Sequence, residues 1–212
     1  MFVKICGITN TDDALFAAEA GADALGFIFV PETPRYTEPQ KACEIIGKLP
    51  EDIRKFGVFL DEAVSEVVRV TNKLGLDYVQ LHGSESPGYC ARLNGEVSAS
   101  IVKAFRIGQR GDLDPIADYD IIGFLLLDSF VEGKAGGTGK VFDWSLAVEA
   151  KRYGKPIILS GGLTPENVSE AVAKVSPYGV DVSSGVEKAP GVKDGDKVRD
   201  FIRRARGAAE EL

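Results

Sequence analysis

The run GFLLLD, at residues 123–128, decides the fold class. Its apolar residues follow one another without a polar face, which is typical of a strand buried on both sides of a parallel sheet. The run PIILS at residues 156–160 has the same character. Both runs are short and lie between stretches with helical patterns, so they indicate strands that alternate with helices.

Similar runs recur along the whole chain, at intervals of about one strand–helix unit. Eight strands are predicted: Phe2–Cys6, Ala24–Phe29, Phe56–Leu60, Tyr78–His82, Ser100–Phe105, Gly123–Asp128, Pro156–Ser160 and Val180–Ser184. The segments between them have helical signals, such as Thr164-Pro165-Glu166, which is predicted to begin a helix. Eight strands, eight helices and no composition break predict an α/β protein, a single (β/α)₈ TIM barrel spanning residues 1–212 as one domain.

Composition narrows the functional classes. The chain has a net charge of −7, which disfavours a broad nucleic-acid surface but leaves room for a small phosphorylated ligand. It has no apolar run of membrane-spanning length and no signal-peptide pattern, so neither a membrane partner nor export is expected. Three widely spaced cysteines favour a reducing, cytoplasmic setting, and a single histidine gives a multi-ligand zinc site little to use.

The predicted strand ends differ in character from the strand interiors. In such a barrel the reacting groups stand at the carboxyl ends of the strands. Read in chain order, these ends carry Cys6, Asp61, His82, Arg106, Asp128, Gly161-Gly162 and Ser184-Gly185. Most are polar or glycine whereas the interiors are apolar, which predicts a functional site at this face.

Cys6 and Asp128 are the candidate catalytic residues. Cys6 has a plain alternative as a small core residue, and acts as a base only if nearby positive charge favours its thiolate. Lys4, two residues earlier on the same strand face, could supply that charge. Asp128 ends an apolar strand, where it is either a cap or salt bridge at the rim or a general acid kept protonated by its surroundings.

The glycines after the last two strands predict a phosphate site. Gly161 and Gly162 follow the seventh strand, and Ser184 and Gly185 follow the eighth. Barrels of this kind commonly bind phosphate with those two loops and the N-terminus of a short extra helix. Glycine also lets backbone N–H groups approach a phosphate closely.

Three further features of the sequence are weaker indications of function. The Gly136–Gly139 segment is either a flexible connector or a mobile lid. Arg35, in the loop after the second strand, is either solvated or a clamp for a carboxylate. His82 is a structural histidine or a group that faces the ligand.

The motifs together resemble one enzyme family. They are KICGIT at 4–9, GFIF with TPR within 26–35, GVF at 57–59, QLHG at 80–83, KAF at 103–105, LLDS at 126–129, GGTG at 136–139, LSGGL at 159–163 and VDVSSGVE at 180–187. In this order, and over nearly the whole chain, they resemble the phosphoribosylanthranilate isomerases.

That resemblance implies a cofactor-independent isomerase of tryptophan biosynthesis. It would convert N-(5-phosphoribosyl)anthranilate into 1-(2-carboxyphenylamino)-1-deoxyribulose 5-phosphate by an Amadori rearrangement. The resemblance implies Asp128 as general acid and Cys6 as general base, with Arg35 on the anthranilate carboxylate. His82, Gly161, Gly162, Ser184 and Gly185 would complete the substrate site, and no metal is implied.

Two other readings stay open on sequence alone. One is a different phosphosugar barrel, above all the aminoaldose isomerase of histidine biosynthesis, although that enzyme calls for an aspartate where this chain has Cys6. A metal-dependent epimerase is poorly served by one histidine. The other reading is a non-catalytic barrel that senses a phosphorylated ligand. A monomer and a homodimer both fit.

Overall fold

A computed structural model describes residues 1–129 and 143–212 and contains a closed eight-stranded barrel. The barrel strands are β1 (Phe2–Cys6), β2 (Ala24–Ile28), β3 (Arg54–Phe59), β4 (Tyr78–Leu81), β5 (Ser100–Ile107), β6 (Phe124–Ser129), β7 (Ile157–Leu159) and β8 (Gly179–Val182). All neighbouring strands pair in parallel, and β1 closes the ring by pairing with β8. The predicted (β/α)₈ barrel is therefore confirmed.

Helices cover the outside of the barrel. They are α1 (Thr11–Glu19), α2 (Pro39–Ile46), α3 (Val64–Leu74), α4 (Pro87–Asn94), α5 (Trp144–Ala150), α6 (Val168–Val175) and α7 (Gly195–Glu210). Their apolar stripes are buried against the sheet, as Val198, Phe201, Ile202 and Ala205 of α7 show. Among the described helices, none has the length and apolar character needed to cross a membrane.

Two details of the predicted helices were wrong. The segment between β5 and β6 is a 3₁₀ helix, Arg110–Asp118, and not an α-helix. Pro115 lies inside it, where it supplies no backbone N–H and crowds the preceding turn, so a regular α-helix is disfavoured. The helix expected to begin at Thr164 begins at Val168 instead, and Thr164 opens a turn whose carbonyl accepts from the amides of Asn167 and Val168.

Two short elements follow β8 and extend the barrel rim. A 3₁₀ turn, Ser184–Val186, comes first, and then an antiparallel hairpin of β9 (Glu187–Ala189) and β10 (Val192–Lys193). The hairpin reaches back to the loop after β1, where Thr9 Oγ1 donates to the carbonyl of Gly191 at 2.5 Å. These elements bring Glu187 and Lys193 beside the end of β1.

The inside of the barrel changes character from one end to the other. A small apolar cluster, made of Ala24, Phe56, Val102, Ala104, Leu126 and Ile158, fills its lower part. Next to this cluster lies a buried ion pair, with Lys4 Nζ 2.8 Å from Asp181 Oδ1. The polar side chains toward the carboxyl ends of the strands then open into a cavity.

Candidate active site

One cavity at the carboxyl ends of the strands collects the predicted site residues. Every barrel strand, or the loop that follows it, contributes to its lining. All eight residues singled out from the sequence line it: Cys6, Arg35, His82, Asp128, Gly161, Gly162, Ser184 and Gly185. Of the other strand-end residues, Arg106 lines it as well, whereas Asp61 does not and instead accepts from the amide of Ser84 at 2.6 Å.

Cys6 is a buried thiol at the end of β1, on the same strand face as Lys4. Burial raises the pKa of the Cys6 thiol, and the Lys4 ammonium opposes this without cancelling it. Burial likewise acts to lower the pKa of Lys4, but Asp181 and Cys6 together outweigh it, so that the pKa of Lys4 is raised and it stays a cation. A thiolate at Cys6 would therefore be stabilised chiefly by Lys4.

The position on β2 beside Cys6 has no room for a side chain. A Cβ atom at Gly26 of β2 would lie 2.7 Å from Cys6 Sγ and 3.2 Å from Lys4 Cε. That is closer than van der Waals contact allows, so glycine leaves the room that the thiol occupies.

Asp128 lies in a hydrogen-bonded chain of three side chains. Its Oδ1 accepts from the amide of Ser129 at 2.8 Å, and its Oδ2 lies 3.2 Å from His82 Nε2. The other imidazole nitrogen, Nδ1, lies 3.0 Å from Gln80 Nε2. Asp128 and His82 are thus in contact across β5, and the role of Gln80 is one that the sequence did not suggest.

Arg35 is held in place by Glu187, which follows the 3₁₀ turn after β8. Arg35 Nε donates to Glu187 Oε1 at 2.8 Å and Arg35 Nη2 donates to Oε2 at 2.7 Å. The pair occupies one edge of the guanidinium and leaves the Nη1–Nη2 end for a ligand. The sequence did not point to this pairing, because 152 residues separate the partners.

Lys193 joins three parts of the rim. Its buried ammonium donates to the carbonyl of Cys6 at 2.6 Å, to the carbonyl of Ser183 at 3.1 Å and to Glu187 Oε1 at 3.0 Å. Burial acts to raise the pKa of Glu187, but the hydrogen bonds from Arg35 and Lys193 outweigh it and hold that pKa below its usual range. Glu187 is therefore an anion that holds Arg35 and Lys193, and it opposes the burial that lowers the pKa of Lys193.

The loops after β7 and β8 have the conformation expected of a cradle for an anion. Gly161 and Gly162 have φ of 82° and 69°, in the left-handed region that favours glycine. A Cβ at Gly161 would overlap the amide nitrogen of Ser129, and one at Gly185 would overlap the carbonyl oxygen of Leu163. Backbone and ligand can therefore approach closely here.

Three buried polar atoms of the lining have no hydrogen-bond partner among the residues that the structure describes. They are Ser183 Oγ, beside the cradle, Arg106 Nε, on β5 and in register with Asp128, and Gln80 Oε1, on β4. Buried polar atoms are usually satisfied, so Ser183 and Arg106, at the ends of their strands, indicate positions where a ligand completes the bonding.

Two other expectations concern a lid and a metal. The proposed lid at Gly136–Gly139 lies outside the described residues. Among residues 1–129 and 143–212, no group of three or more His, Cys, Asp or Glu side chains could hold a metal ion.

The chain matches known proteins over almost its full length. Residues 3–204 match the family model described as N-(5'phosphoribosyl)anthranilate (PRA) isomerase. The chain is 54% identical to the N-(5'-phosphoribosyl)anthranilate isomerase of Geotalea uraniireducens, covering 97% of this chain and 98% of the relative. It is 53% identical to that of Trichlorobacter lovleyi, with coverage of 97% and 98%.

Solved structures agree with this assignment. The phosphoribosyl anthranilate isomerase of Thermotoga maritima has a TM-score of 0.91 at 41% identity, covering 98% of this chain and 99% of that one. A second structure, with a TM-score of 0.88 at 40% identity and the same coverage, is that of the isomerase in complex with reduced 1-(o-carboxyphenylamino)-1-deoxyribulose 5-phosphate. The matches over the whole barrel place this chain in the phosphoribosylanthranilate isomerase family.

Proposed function

We propose that the chain converts N-(5'-phosphoribosyl)anthranilate into 1-(2-carboxyphenylamino)-1-deoxyribulose 5-phosphate in tryptophan biosynthesis, with Cys6 as general base and Asp128 as general acid. The observation that carries the assignment of roles is that a thiol on β1 and a carboxyl on β6 line one cavity beside a glycine cradle. Family membership supports the reaction, since the related isomerase binds a reduced form of this product.

The reaction opens the sugar ring first. Asp128 delivers its proton to the ring oxygen, the bond from that oxygen to C1′ breaks, and the nitrogen lone pair forms the C1′–N imine. Asp128 is then a carboxylate that accepts from the amide of Ser129 and from His82. These hydrogen bonds stabilise the charge that Asp128 acquires as the ring opens.

The second step moves a proton from carbon to sulfur. The Cys6 thiolate removes the C2′ proton, the electron pair of that bond forms the C1′–C2′ double bond, and the π pair of the C1′–N bond returns to nitrogen, which gives an enolamine. The C2′ hydroxyl of the enolamine then loses its proton as C1′ takes one up, which leaves a ketone at C2′. One carbon is oxidised as its neighbour is reduced, so the sum balances without an external oxidant or reductant.

Lys4 makes the base feasible. Because burial raises the pKa of the Cys6 thiol, the free thiolate is disfavoured, and the buried Lys4 cation is the main group acting against this. Ionised thiols in proteins usually lie near such a cation. Asp181 in turn keeps Lys4 charged, by an ion pair of 2.8 Å.

Both ends of the substrate find cationic or N–H partners. Arg35 binds the anthranilate carboxylate with the end of the guanidinium that Glu187 leaves open. The backbone at Gly161, Gly162, Ser184 and Gly185 binds the phosphate, with the hydroxyl of Ser183 as a further donor. His82 faces the sugar beside Asp128.

We further propose that the enzyme acts as a monomer or homodimer in the cytoplasm, on a small phosphorylated substrate. One related structure is of monomers generated from the dimeric Thermotoga maritima enzyme. The three cysteines of this chain are unpaired, which suits a reducing compartment.

The test is turnover of freshly prepared N-(5'-phosphoribosyl)anthranilate by the purified chain, followed by the loss of its fluorescence. A parallel arm offers the aminoaldose substrate of histidine biosynthesis, and a third expresses the chain in a tryptophan auxotroph that lacks the isomerase. We expect turnover of the first substrate and restored growth. A folded protein that binds the substrate without turning it over would show a sensor, and preference for the second substrate would overturn the assignment.

A further inference from the structure

The side chains of Gln80, His82 and Asp128 form a hydrogen-bonded relay. At its buried end, only one of the two polar atoms of the Gln80 amide has a hydrogen-bond partner among the described residues. Gln80 is 1% exposed, and its Nε2 lies 3.0 Å from His82 Nδ1. Its Oε1 is buried and has no hydrogen-bond partner among the residues that the structure describes.

The contact with the imidazole can be made in two orientations of the Gln80 amide. With Nε2 toward the imidazole, the amide donates to the lone pair of His82 Nδ1, and the ring proton lies on Nε2. With Oε1 in that place, the amide accepts from Nδ1–H, and Nε2 carries the lone pair. Each orientation makes one hydrogen bond to the ring.

The two orientations correspond to the two states of Asp128. The carboxylate accepts from His82 Nε2–H across the 3.2 Å contact, which requires the first orientation. The protonated acid donates to the lone pair of Nε2, which requires the second. The imidazole stays neutral in both, and both hydrogen bonds of the chain are kept.

We propose that Gln80 is a positioning residue whose amide turns over with the tautomer of His82, so that Asp128 is hydrogen-bonded both as an acid and as a carboxylate. The inference rests on the proposed role of Asp128 as the general acid. A general acid must pass between these two forms in every turnover, and an unpaired imidazole nitrogen in either form would be costly.

The other charged or titratable groups around Gln80, His82 and Asp128 are arginines or members of ion pairs, apart from Asp61, which accepts from the amide of Ser84, and Cys6, which is the proposed base. The cavity is also faced by Cys6, Arg35, Arg106 and Asp181, and the loop after β4 by Asp61, Glu85 and Lys103. The arginines remain cations throughout. Asp181 is paired with Lys4 and Glu85 with Lys103, at 2.8 and 3.1 Å, and burial raises the pKa of Cys6.

The tautomer of His82 can be measured directly, because the protein contains a single histidine. In protein labelled with ¹⁵N at the imidazole, both ring nitrogens belong to His82, and their shifts report the tautomer without any turnover. We expect the proton to lie on Nδ1 when Asp128 is protonated and on Nε2 when Asp128 is a carboxylate, and a pH series of the two shifts shows whether the imidazole passes between these tautomers. One tautomer at every pH in the wild-type protein would overturn the inference.

Two variants distinguish the proposed role of Gln80 and His82 from the proposed role of Asp128 as general acid. In Asp128→Asn the tautomer change should disappear while kcat collapses. If Asp128→Asn keeps its activity, the acid role fails; if it is inactive but the wild-type imidazole never changes tautomer, only the relay fails. In Gln80→Met, which has similar length but no donor or acceptor, kcat should fall about tenfold at unchanged KM, and the Nδ1 shift should move to that of an unbonded nitrogen.

The matched control is Gln40→Met on α2, an exposed glutamine remote from the cavity. It should leave the kinetics and both ¹⁵N shifts as in the wild type. Gln80→Met with wild-type shifts and wild-type kcat would contradict the relay. If Gln80→Met does not fold, the ¹⁵N shifts of His82 in the wild-type protein still test whether the imidazole changes tautomer.

Discussion

Glu187 holds Arg35 by two parallel hydrogen bonds, Nε to Oε1 at 2.8 Å and Nη2 to Oε2 at 2.7 Å. The carboxylate is almost fully buried and the guanidinium is largely so. A paired fork of this kind fixes direction as well as distance. It turns a long and flexible side chain in the loop after β2 into a rigid donor at the cavity.

Removal of the Arg35 guanidinium should weaken substrate binding. For Arg35→Ala we expect KM to rise roughly 10- to 100-fold, the equivalent of losing one or two hydrogen bonds to a charged group, with kcat changed much less. Arg35→Lys should recover only part of the affinity, because an ammonium lacks the planar fork. Steady-state kinetics decide, and a loss confined to kcat would rule out a carboxylate clamp.

Glu187 should matter through Arg35. In Glu187→Gln one acceptor oxygen becomes an amide nitrogen, so the fork is broken and Arg35 loses its fixed direction. We expect a rise in KM smaller than that of Arg35→Ala, and no further rise when the two changes are combined. Independent, additive effects in this double-mutant cycle would show that Glu187 acts on something other than Arg35.

The left-handed glycine after β7 should tolerate no side chain. In Gly161→Ala the Cβ would overlap the Ser129 amide and lie 2.6 Å from Asp128 Oδ1, at a φ of 82°. We expect a loss of about 1–3 kcal/mol in the free energy of unfolding from backbone strain, with lower activity as the acid is displaced. Gly111→Ala is the control, since nothing lies within 4 Å of its Cβ. Urea unfolding that leaves both variants equally stable would contradict the steric argument.

Lys4 should set the pH at which the base works. Lys4 lowers the pKa of Cys6 against the effect of burial, while Asp181 raises it. Loss of the cation in Lys4→Gln therefore raises that pKa further, and the acidic limb of kcat/KM should move to higher pH. Lys55→Gln, at the other end of the barrel, is the control. The pH dependence of Cys6 alkylation, followed by mass spectrometry, gives a second measurement. If it and the acidic limb of kcat/KM lie at the same pH in Lys4→Gln as in the wild type, Lys4 does not have this role.

The sequence predicted the strands well because each is a short apolar run with a clear end. The observed bounds of β1 are those predicted, and the other strands differ by one or two residues at their ends. It also predicted which residues meet in the cavity, because the carboxyl ends of all strands in a closed barrel lie on one face. The chemical roles of these residues stay predictions.

What the sequence could not predict depends on contacts between distant parts of the chain. Lys4 pairs with Asp181 only because β1 closes the ring against β8, and the register of that pairing leaves no local pattern. The hairpin of β9 and β10 brings Lys193 to the carbonyl of Cys6, but in the sequence this segment resembles an ordinary loop. The α-helix expected after β5 is absent for a local reason, since Pro115 disfavours a regular α-helix there.

The claim on which all else depends is that one thiol and one carboxyl act on the same pentose. Turnover of freshly prepared N-(5'-phosphoribosyl)anthranilate by Cys6→Ala and Asp128→Asn, beside the wild type, measures this most directly. We expect kcat to fall by about 10²- to 10⁴-fold in each variant, with the unfolding temperature nearly unchanged. Turnover close to the wild-type rate in either folded variant would contradict the assignment of that residue.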